Sequence, residues 1–325
     1  MAGNLAGATH EVRTIPGRGE PVLWDLVGNT PIIPLVPPDG PGSAGPALLL
    51  KAEWFNPGGS VKDRPARDIL RSGLAMGSLP ERRLLDSSSG NMAVSYAMLG
   101  AAAGIGVTVC VPANASRARR NQLRLHGAVV IETDPLEGSD GAIRRAQELA
   151  AAEPARYWYA DQYNNPANPR AHERTTGPEI WRATRGRITH LVAGVGTSGT
   201  LVGAGGFLKR RRPSIRLIAV QPEGPLHGLE GLKHLATAMV PGIYDPAIVD
   251  ETQFVATEAA EAKVRQLARE RGLFVGWSTG AALVAAEVVL AGATAQGGGE
   301  PVVVVIAPDG GASYQADERR LFGEP

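Results

Sequence analysis

The chain has 325 residues and carries 33 Lys and Arg against 32 Asp and Glu, which gives a formal net charge of +1. Charges so balanced and so scattered argue against nucleic acid or an anionic membrane as the main partner. The length exceeds that at which one hydrophobic core usually stops growing, so we expect two lobes around a cleft. No apolar run has the length of a membrane span, and the N-terminus lacks a secretory signal, so we expect a cytoplasmic protein.

The first half of the chain begins with glycine-rich, polar residues 1–20, which have no periodicity and predict a flexible extension. A second Pro/Gly stretch, VPPDGPGSAGP at 36–46, predicts a loop. After it, the short apolar runs LLLKAE, RLLDS, VTVCVP and AVVIET each precede a helical pattern. This alternation is typical of parallel strands joined by crossover helices. Cys110, the single cysteine, lies within VTVCVP, and we expect it to pack as a small hydrophobe.

The alternation resumes in the second half, where THLVAG, IRLIAVQ and VVVVIAP read as strands and a long loop follows IRLIAVQ. We therefore predict an α/β protein of two doubly wound lobes with parallel-rich sheets. In such sheets, ligands bind at the carboxyl ends of the strands. The Gly- and Ser-rich turns of this chain fall at those ends.

The turn GVGTSGT at 194–200 follows a predicted strand and opens a predicted helix, which is typical of a phosphate site. The hydroxyls of Thr197, Ser198 and Thr200 can add donors. The string also has the spacing of a dinucleotide-binding fingerprint, with Glu223 at roughly the distance expected for ribose recognition. This motif alone leaves NAD and other phosphorylated cofactors open.

Lys62 lies in NPGGSVKDRP at 56–65, in the first turn of a predicted helix. Helix starts favour anions, so a cation there is either solvent-facing or recruited for function. An amine whose pKa is depressed by its surroundings is what Schiff-base chemistry needs. On spacing alone a surface lysine is the simpler interpretation, and the neighbouring motif argues against it. That motif, SSSGNMA at 87–93, offers several hydroxyls and amides to a carboxylate at another helix start.

Seven strings together resemble the cysteine synthase family, within the tryptophan synthase β-like group of pyridoxal-phosphate enzymes. They are GNTPIIPL (28–35), NPGGSVKDRPA (56–66), SSGNMA (88–93), QYNNPAN (162–168), HERTTGPEIW (172–181), GVGTSGT (194–200) and VGWSTGAA (275–282). The resemblance runs from about residue 22 to about residue 310. Seven motifs in order are more specific than one glycine turn, and they favour this family over the NAD hypothesis.

The resemblance implies that the cofactor is pyridoxal 5'-phosphate and that Lys62 holds it as a Schiff base and acts as the catalytic base. Asn91 would bind the 3' oxygen of the cofactor, and Ser278 would face its pyridine nitrogen. The cofactor phosphate would be held by Gly196, Thr197, Ser198, Gly199 and Thr200. The substrate α-carboxylate would be held by Ser88, Ser89, Gly90, Met92 and Gln162.

The resemblance also implies the fold type II organisation of this enzyme group. Residues 56–165 would form a smaller, mobile lobe that carries Lys62 and the SSGN loop. Residues 21–55 plus 166–325 would form a larger lobe that carries the phosphate loop and Ser278. A homodimer is implied as well.

The implied reaction is β-replacement that makes L-cysteine from O-acetyl-L-serine and sulfide, or another sulfur donor, through an α-aminoacrylate. The alternatives are O-phospho-L-serine as substrate, a non-sulfur nucleophile, or an inactive regulatory member of the family. Met92 stands where the family usually has threonine, and Trp277 where a small or aliphatic residue is usual. These departures leave the cofactor site intact and put the substrate in doubt.

Two weaker predictions concern Lys233 and the histidines. Lys233 lies in a glycine-punctuated loop, 225–234, that follows a strand end, so its ammonium can contact an anionic leaving group. We expect His172 to lie on a helix surface or between the lobes rather than to act in catalysis. The other histidines lack metal-ligand spacing, and no metal site is predicted.

Overall fold

The computed structural model describes residues 21–36, 47–295, 300–315 and 318–322. The predicted flexible extension, 1–20, and nearly all of the predicted loop at 36–46 lie outside these ranges. The strands are β1 (Ile32–Val36), β2 (Ala47–Ala52), β3 (Arg83–Ser87), β4 (Val107–Pro112), β5 (Val129–Thr133), β6 (Tyr157–Tyr159), β7 (His190–Gly194), β8 (Arg216–Pro222), β9 (Glu251–Val255) and β10 (Val302–Ala307). The helices are α1 (Val22–Asp25), α2 (Asp63–Ala75), α3 (Asn91–Ala102), α4 (Arg117–Leu125), α5 (Gly138–Ala152), α6 (Ala167–Arg174), α7 (Thr176–Ala183), α8 (Gly199–Arg211), α9 (Thr257–Arg271), α10 (Trp277–Ala295) and α11 (Glu318–Phe322).

The strands form two sheets, which confirms the predicted α/β class. A four-stranded sheet has the order β5-β4-β3-β6, and all of its pairs are parallel. A six-stranded sheet has the order β1-β2-β10-β7-β8-β9 and is parallel except for β1, which runs antiparallel to β2. Although LLLKAE precedes the other three early runs in sequence, β2 pairs with β10 and not with β3. The lobe boundaries themselves stay a prediction.

Each sheet has a hydrophobic core on both of its faces. Neighbouring residues of a strand point to opposite faces and therefore pack in different cores. In the larger sheet, Val303 packs in the core formed with α9 and α10, whereas Val304 packs in the core formed with α7 and α8. In the smaller sheet, Leu84 packs towards α2 and α3, whereas Leu85 packs towards α5. Strands buried on both faces read as continuous apolar runs, as VVVVIA does.

Cys110 lies in β4 with its side chain fully buried, as expected. Burial raises the pKa of its thiol to about 11, so the thiol stays protonated at neutral pH. The strand β9, at the edge of the larger sheet, was not predicted from the sequence. Its residues, ETQFV, are mostly half-buried and contain no apolar run, so the segment resembled a loop.

The expectation that no segment could span a membrane was wrong for one helix. The segment Trp277–Thr294 of α10 is long and apolar enough to cross a bilayer. More than half of it, 56%, is buried inside the protein, where Ala281, Ala285 and Val289 belong to the core between α10 and the larger sheet. This core position accounts for its apolar composition.

Candidate active site

The turn after β10, residues 308–310, holds two other segments of the site against the larger sheet. Ser60 forms a bridge with Asp309, and Val61 N donates to Pro308 O at 2.7 Å. Val275 forms a bridge with Gly310. The chain just before Lys62 and the chain just before Ser278 are therefore fixed to one strand end.

Lys62 immediately precedes α2, one residue before the helical turn in which it was predicted, and it is half-buried. Burial lowers the pKa of the Lys62 amine, and the nearby Asp309 carboxylate opposes part of that shift. A desolvated amine is neutral more often than a solvent-exposed lysine, and the neutral form is the nucleophile and base.

The turn 194–200 joins β7 to α8 as predicted. Ser198, just before α8, adopts a left-handed conformation with φ of 68°, and its buried hydroxyl has no hydrogen-bond partner among the residues that the structure describes. Thr197 Oγ1 accepts from Asn168 Nδ2 at 3.1 Å. A Cβ on Gly196 would lie 2.2 Å from Gly231 O, so only glycine fits there. Gly199 is similarly confined, because its Cβ would meet the Asn168 amide.

His172 lies on α6 and is buried, which excludes the helix-surface alternative and leaves a position between the lobes as the prediction. Its Nδ1 contacts Thr176 Oγ1 at 2.9 Å, and its Nε2 contacts Thr200 Oγ1 at 3.3 Å. Burial, helped by the charge of Arg64, lowers the pKa of His172 to about 3. The neutral imidazole thus contacts Thr200, the last residue of the turn 194–200. The i, i+4 spacing of His172 and Thr176 on one helical stretch was the available signal.

Asn91 begins α3, and its amide is held on both sides. Its Nδ2 donates to Asp309 Oδ2 at 2.7 Å, and its Oδ1 accepts from Arg119 Nη2 at 3.0 Å. Tyr314 Oη donates to the same Asp309 oxygen at 2.8 Å. Sequence reasoning missed Asp309 and Arg119. The signal for Asp309 was a carboxylate directly after the apolar run VVVVIAP.

The turn between β3 and α3 carries the predicted carboxylate site. Gly90 N donates to Ser88 Oγ at 3.2 Å, and Ser89 lies between them at the open edge of the turn. Gln162, after β6, is buried and donates through Nε2 to Ser87 O at 2.8 Å. The structure therefore brings Gln162 to this turn.

Two further residues bear on that turn. Met92 is buried in the core of the smaller sheet, so only its backbone can serve a substrate. Asp86 accepts from Ser87 N at 2.8 Å and Gln162 N at 3.2 Å. Burial raises the pKa of Asp86 to about 7, in spite of these hydrogen bonds. Sequence reasoning missed this carboxyl, which ties the ends of β3 and β6 together.

Ser278 lies in the first turn of α10 and is buried, next to the equally buried Trp277 and Thr279. The Trp277 ring packs against Tyr314, with ring centroids 5.8 Å apart, and the Arg320 guanidinium lies 4.5 Å from the Trp277 ring centroid. Trp277, which directly precedes Ser278, is therefore packed against Tyr314 and Arg320.

Lys233 lies beside the phosphate-loop candidate, since its backbone N donates to Val195 O at 2.8 Å. Its ammonium lies 3.7 Å from Asp140 Oδ1 and 4.9 Å from the centroid of the Tyr163 ring. The ammonium thus lies near two residues outside the larger sheet, Asp140 on α5 and Tyr163 after β6. Across the ranges that the structure describes, no group of three or more His, Cys, Asp or Glu residues is arranged to hold a metal ion.

Comparison with known proteins identifies the class. The family described as "Pyridoxal-phosphate dependent enzyme" matches residues 23–308, so the chain belongs to that family. It is 47% identical over 296 residues to cysteine synthase of Aquifex aeolicus, which covers 90% of both chains. It is 36% identical over 305 residues to cysteine synthase B of Escherichia coli, covering 93% of this chain and 96% of that one. Within the class, this chain is a member of the cysteine synthase family.

Solved structures agree with this assignment. An O-acetylserine sulfhydrylase from Entamoeba histolytica superposes with a TM-score of 0.86 at 29% identity, covering 99% of this chain and 96% of that one. O-ureido-L-serine synthase superposes with a TM-score of 0.81 at 32% identity, covering 90% and 93%. The fold type II architecture and the pyridoxal 5'-phosphate dependence predicted from sequence are confirmed, and the NAD hypothesis is wrong.

The described residues fit this cofactor. Lys62 supplies a desolvated amine, and the turn 194–200 supplies a helix start with the buried Ser198 hydroxyl, which no described residue hydrogen-bonds. Helix N-termini with free donors favour phosphate groups. Asn91 supplies a fixed amide close to both the Lys62 segment and the central strand end.

Proposed function

We propose that the enzyme makes L-cysteine by β-replacement on O-acetyl-L-serine, with sulfide or another sulfur donor as the nucleophile. The observation that carries this proposal is the turn after β10. That turn contacts the residues just before Lys62, the amide of Asn91, and Val275 and Gly276, which precede α10. The segments that carry Lys62, Asn91 and Ser278, three residues suited to one cofactor ring, therefore meet at one strand end.

Each group has a distinct role in the proposal. Bound pyridoxal phosphate supplies an electron sink for the substrate Cα. Lys62 would anchor the cofactor, and its amine, when free, would take the Cα proton as general base. Ser278 would present a neutral hydroxyl to the ring nitrogen. A hydroxyl would not favour protonation of that nitrogen, and this would favour β-elimination over transamination.

The phosphate and the substrate are held at two helix starts. Gly196 lets the backbone approach the cofactor phosphate, which Thr197, Ser198, Gly199 and Thr200 also bind. On the opposite sheet, backbone amides of Ser88, Ser89, Gly90 and Met92, together with the Gln162 amide, hold the substrate α-carboxylate. The buried Asp86 accepts a hydrogen bond from Ser87 N, at the beginning of that turn.

The test compares three donors with purified enzyme and sulfide. O-acetyl-L-serine, O-phospho-L-serine and L-serine are mixed separately with the enzyme, and absorption changes and cysteine formation are recorded. We expect acetylserine to give the largest absorption change and the highest kcat/KM. A higher kcat/KM with phosphoserine would refute the acetylserine proposal. Absence of any visible cofactor absorption in pure protein would support an inactive regulatory member instead.

A second candidate substrate, O-phospho-L-serine, is favoured by the position of Lys233. Its backbone N–H donates to Val195 O in the proposed phosphate loop, and its ammonium lies 3.7 Å from Asp140 Oδ1 on α5. If this ammonium faces the leaving group, a dianionic phosphate gains more from it than a neutral ester does. A non-sulfur nucleophile is favoured by the likeness to O-ureido-L-serine synthase, and is tested by adding amines in place of sulfide.

We also propose that the enzyme is a cytoplasmic homodimer whose smaller lobe, residues 56–165, moves against the larger one. The relatives named above support these proposals through overall likeness. Light scattering on the purified protein tests the dimer, and a monomeric mass would refute it. Hydrogen exchange with and without substrate tests the motion of the lobe.

A further inference from the structure

A chain of polar contacts runs through the candidate cofactor site from one sheet to the other. Arg119, near the start of α4, donates to Asn91 Oδ1, and Asn91 Nδ2 donates to Asp309 Oδ2. Tyr314 completes the chain by donating to the same carboxylate oxygen. Arg119 and Asn91 are carried by helices of the smaller sheet, whereas Asp309 and Tyr314 follow the central strand of the larger one.

These contacts define which way the Asn91 amide faces. A guanidinium can only donate hydrogen bonds, and an ionised carboxylate can only accept them. The amide oxygen must therefore face Arg119, and the amide nitrogen must face Asp309. The nitrogen has two N–H groups, and the hydrogen bonds of the described residues use one of them. The second remains available to an acceptor in the cleft.

Asp309 is itself fixed where it stands. Gly276 N donates to its backbone oxygen at 3.1 Å, and a Cβ on Gly276 would come 2.0 Å from its Oδ1. Burial raises the pKa of Asp309 above its ordinary value, while hydrogen bonds from Asn91 and Tyr314 and the charges of Arg119 and Lys62 oppose part of that shift. These four neighbours favour the ionised, accepting form of the carboxylate.

We propose that Asp309 is a positioning residue which, opposite Arg119, orients the Asn91 amide so that it presents an N–H to the 3' oxygen of the cofactor. The proposal rests on the role proposed above for Asn91. Asp309 does not touch the cofactor in this account, and its effect on cofactor binding passes through Asn91. An amide free to rotate would offer its oxygen to the electron-rich 3' oxygen for part of the time.

A double-mutant cycle tests this indirect action. Full-length apoenzyme is prepared as wild type, Asp309→Ala, Asn91→Ala and the double variant, and the dissociation constant of pyridoxal phosphate is measured by quenching of tryptophan fluorescence. Asp309→Ala should weaken binding by at least about tenfold, the effect of losing one hydrogen bond to a charged group. In the Asn91→Ala background the same change should have less than about a twofold effect.

Equal losses in both backgrounds would overturn the proposal, because Asp309 would then act without Asn91. If Asp309→Ala does not fold, Arg119→Met replaces it in the same cycle, since Arg119 is half-buried and holds the other side of the amide. The same Asn91-dependent loss is expected, and an Asn91-independent loss again overturns the proposal. Failure of the proposed function is distinct, because a preference for another donor would leave the affinity of wild-type protein for pyridoxal phosphate unchanged, and failure of the Asn91 role would appear as no loss of affinity in Asn91→Ala.

Discussion

Glu179→Ala should be among the most destabilising single substitutions outside the cofactor site. Glu179, on α7, lies in a buried ionic cluster formed with Lys51, Glu53 and Arg64. Its Oε2 is 2.6 Å from Lys51 Nζ and 2.7 Å from Arg64 Nη2, and its Oε1 accepts from Arg64 Nη1 at 2.7 Å. The side chains of Lys51, Glu53 and Arg64 are fully buried, and that of Glu179 is 10% exposed.

The magnitude follows from the charges left behind. Without Glu179, two buried cations would face the single carboxylate of Glu53. Removing one partner of a buried ion pair costs about 3–5 kcal/mol, since an uncompensated charge remains. The pKa of Glu179 supports a loss of this size in the free energy of unfolding. Burial raises it, but the hydrogen bonds and charges of Arg64 and Lys51 outweigh burial and lower it from 4.5 to about 2, which corresponds to about 3 kcal/mol.

Urea denaturation, followed by tryptophan fluorescence, measures the change in the free energy of unfolding. Glu287→Ala is the matched control, because Glu287 is also a helical glutamate paired with a lysine, Lys263 Nζ at 2.7 Å, but its side chain is 49% exposed. That control should lose about 0–1 kcal/mol. A loss for Glu179→Ala no larger than that of the control would refute the reasoning.

The same residue predicts a pH dependence with a definite sign. A carboxyl whose pKa is depressed on folding contributes stability above its unfolded pKa and loses it as pH falls. For Glu179 the contribution is complete above about pH 5 and disappears on acidification towards pH 2. The difference between wild type and Glu179→Ala should therefore shrink over that window. A difference that stays constant down to pH 2 would contradict the account of the cluster.

Three further predictions concern the proposed reaction. Lys62→Ala should abolish β-replacement because the cofactor anchor and the Cα base are both lost, and near-normal turnover without added amine would contradict that role. Ser278→Asp should favour protonation of the ring nitrogen, slow replacement and prolong absorption at long wavelength; unchanged spectra and rates would mean that Ser278 does not face the ring. Lys233→Ala should lower kcat/KM with phosphoserine much more than with acetylserine, because a dianion gains more from an ammonium. Equal losses would make Lys233 a loop-ordering residue.

Much of the fold could be predicted because it is encoded locally. The apolar run VVVVIA and the turn GVGTSGT each contain the burial pattern or the glycines that their structure needs, within a few residues. The strand β9 could not be predicted in this way. Its edge position leaves most of its residues half-buried, so it lacks the apolar pattern of a buried strand.

The polar contacts beneath the site were missed for a different reason. Asn91 and Asp309 are 218 residues apart in sequence, and Lys51 and Glu179 are 128 apart. No periodicity or spacing links such pairs, and each residue alone resembles a solvated surface group. Their burial becomes visible only when the two sheets are assembled. The sequence left two positions open for His172, a helix surface or a place between the lobes, because its hydrogen-bond partner Thr200 comes from α8, after an intervening strand.

The arrangement of contacts around β10 has a mechanical consequence for the proposed lobe motion. The backbone of Ser60 and Val61, just before Lys62, pairs with the turn after β10, and the start of α10 pairs with the same turn. The proposed ring-nitrogen contact therefore moves with the larger sheet, and the proposed anchor Lys62, although it lies within residues 56–165, is held to that sheet through Ser60 and Val61. Asn91 belongs to the smaller sheet and reaches that turn through its bond to Asp309. A movement of the smaller sheet must either preserve this bond or withdraw the amide from the cofactor, so the Asn91–Asp309 contact limits the motion compatible with a bound cofactor.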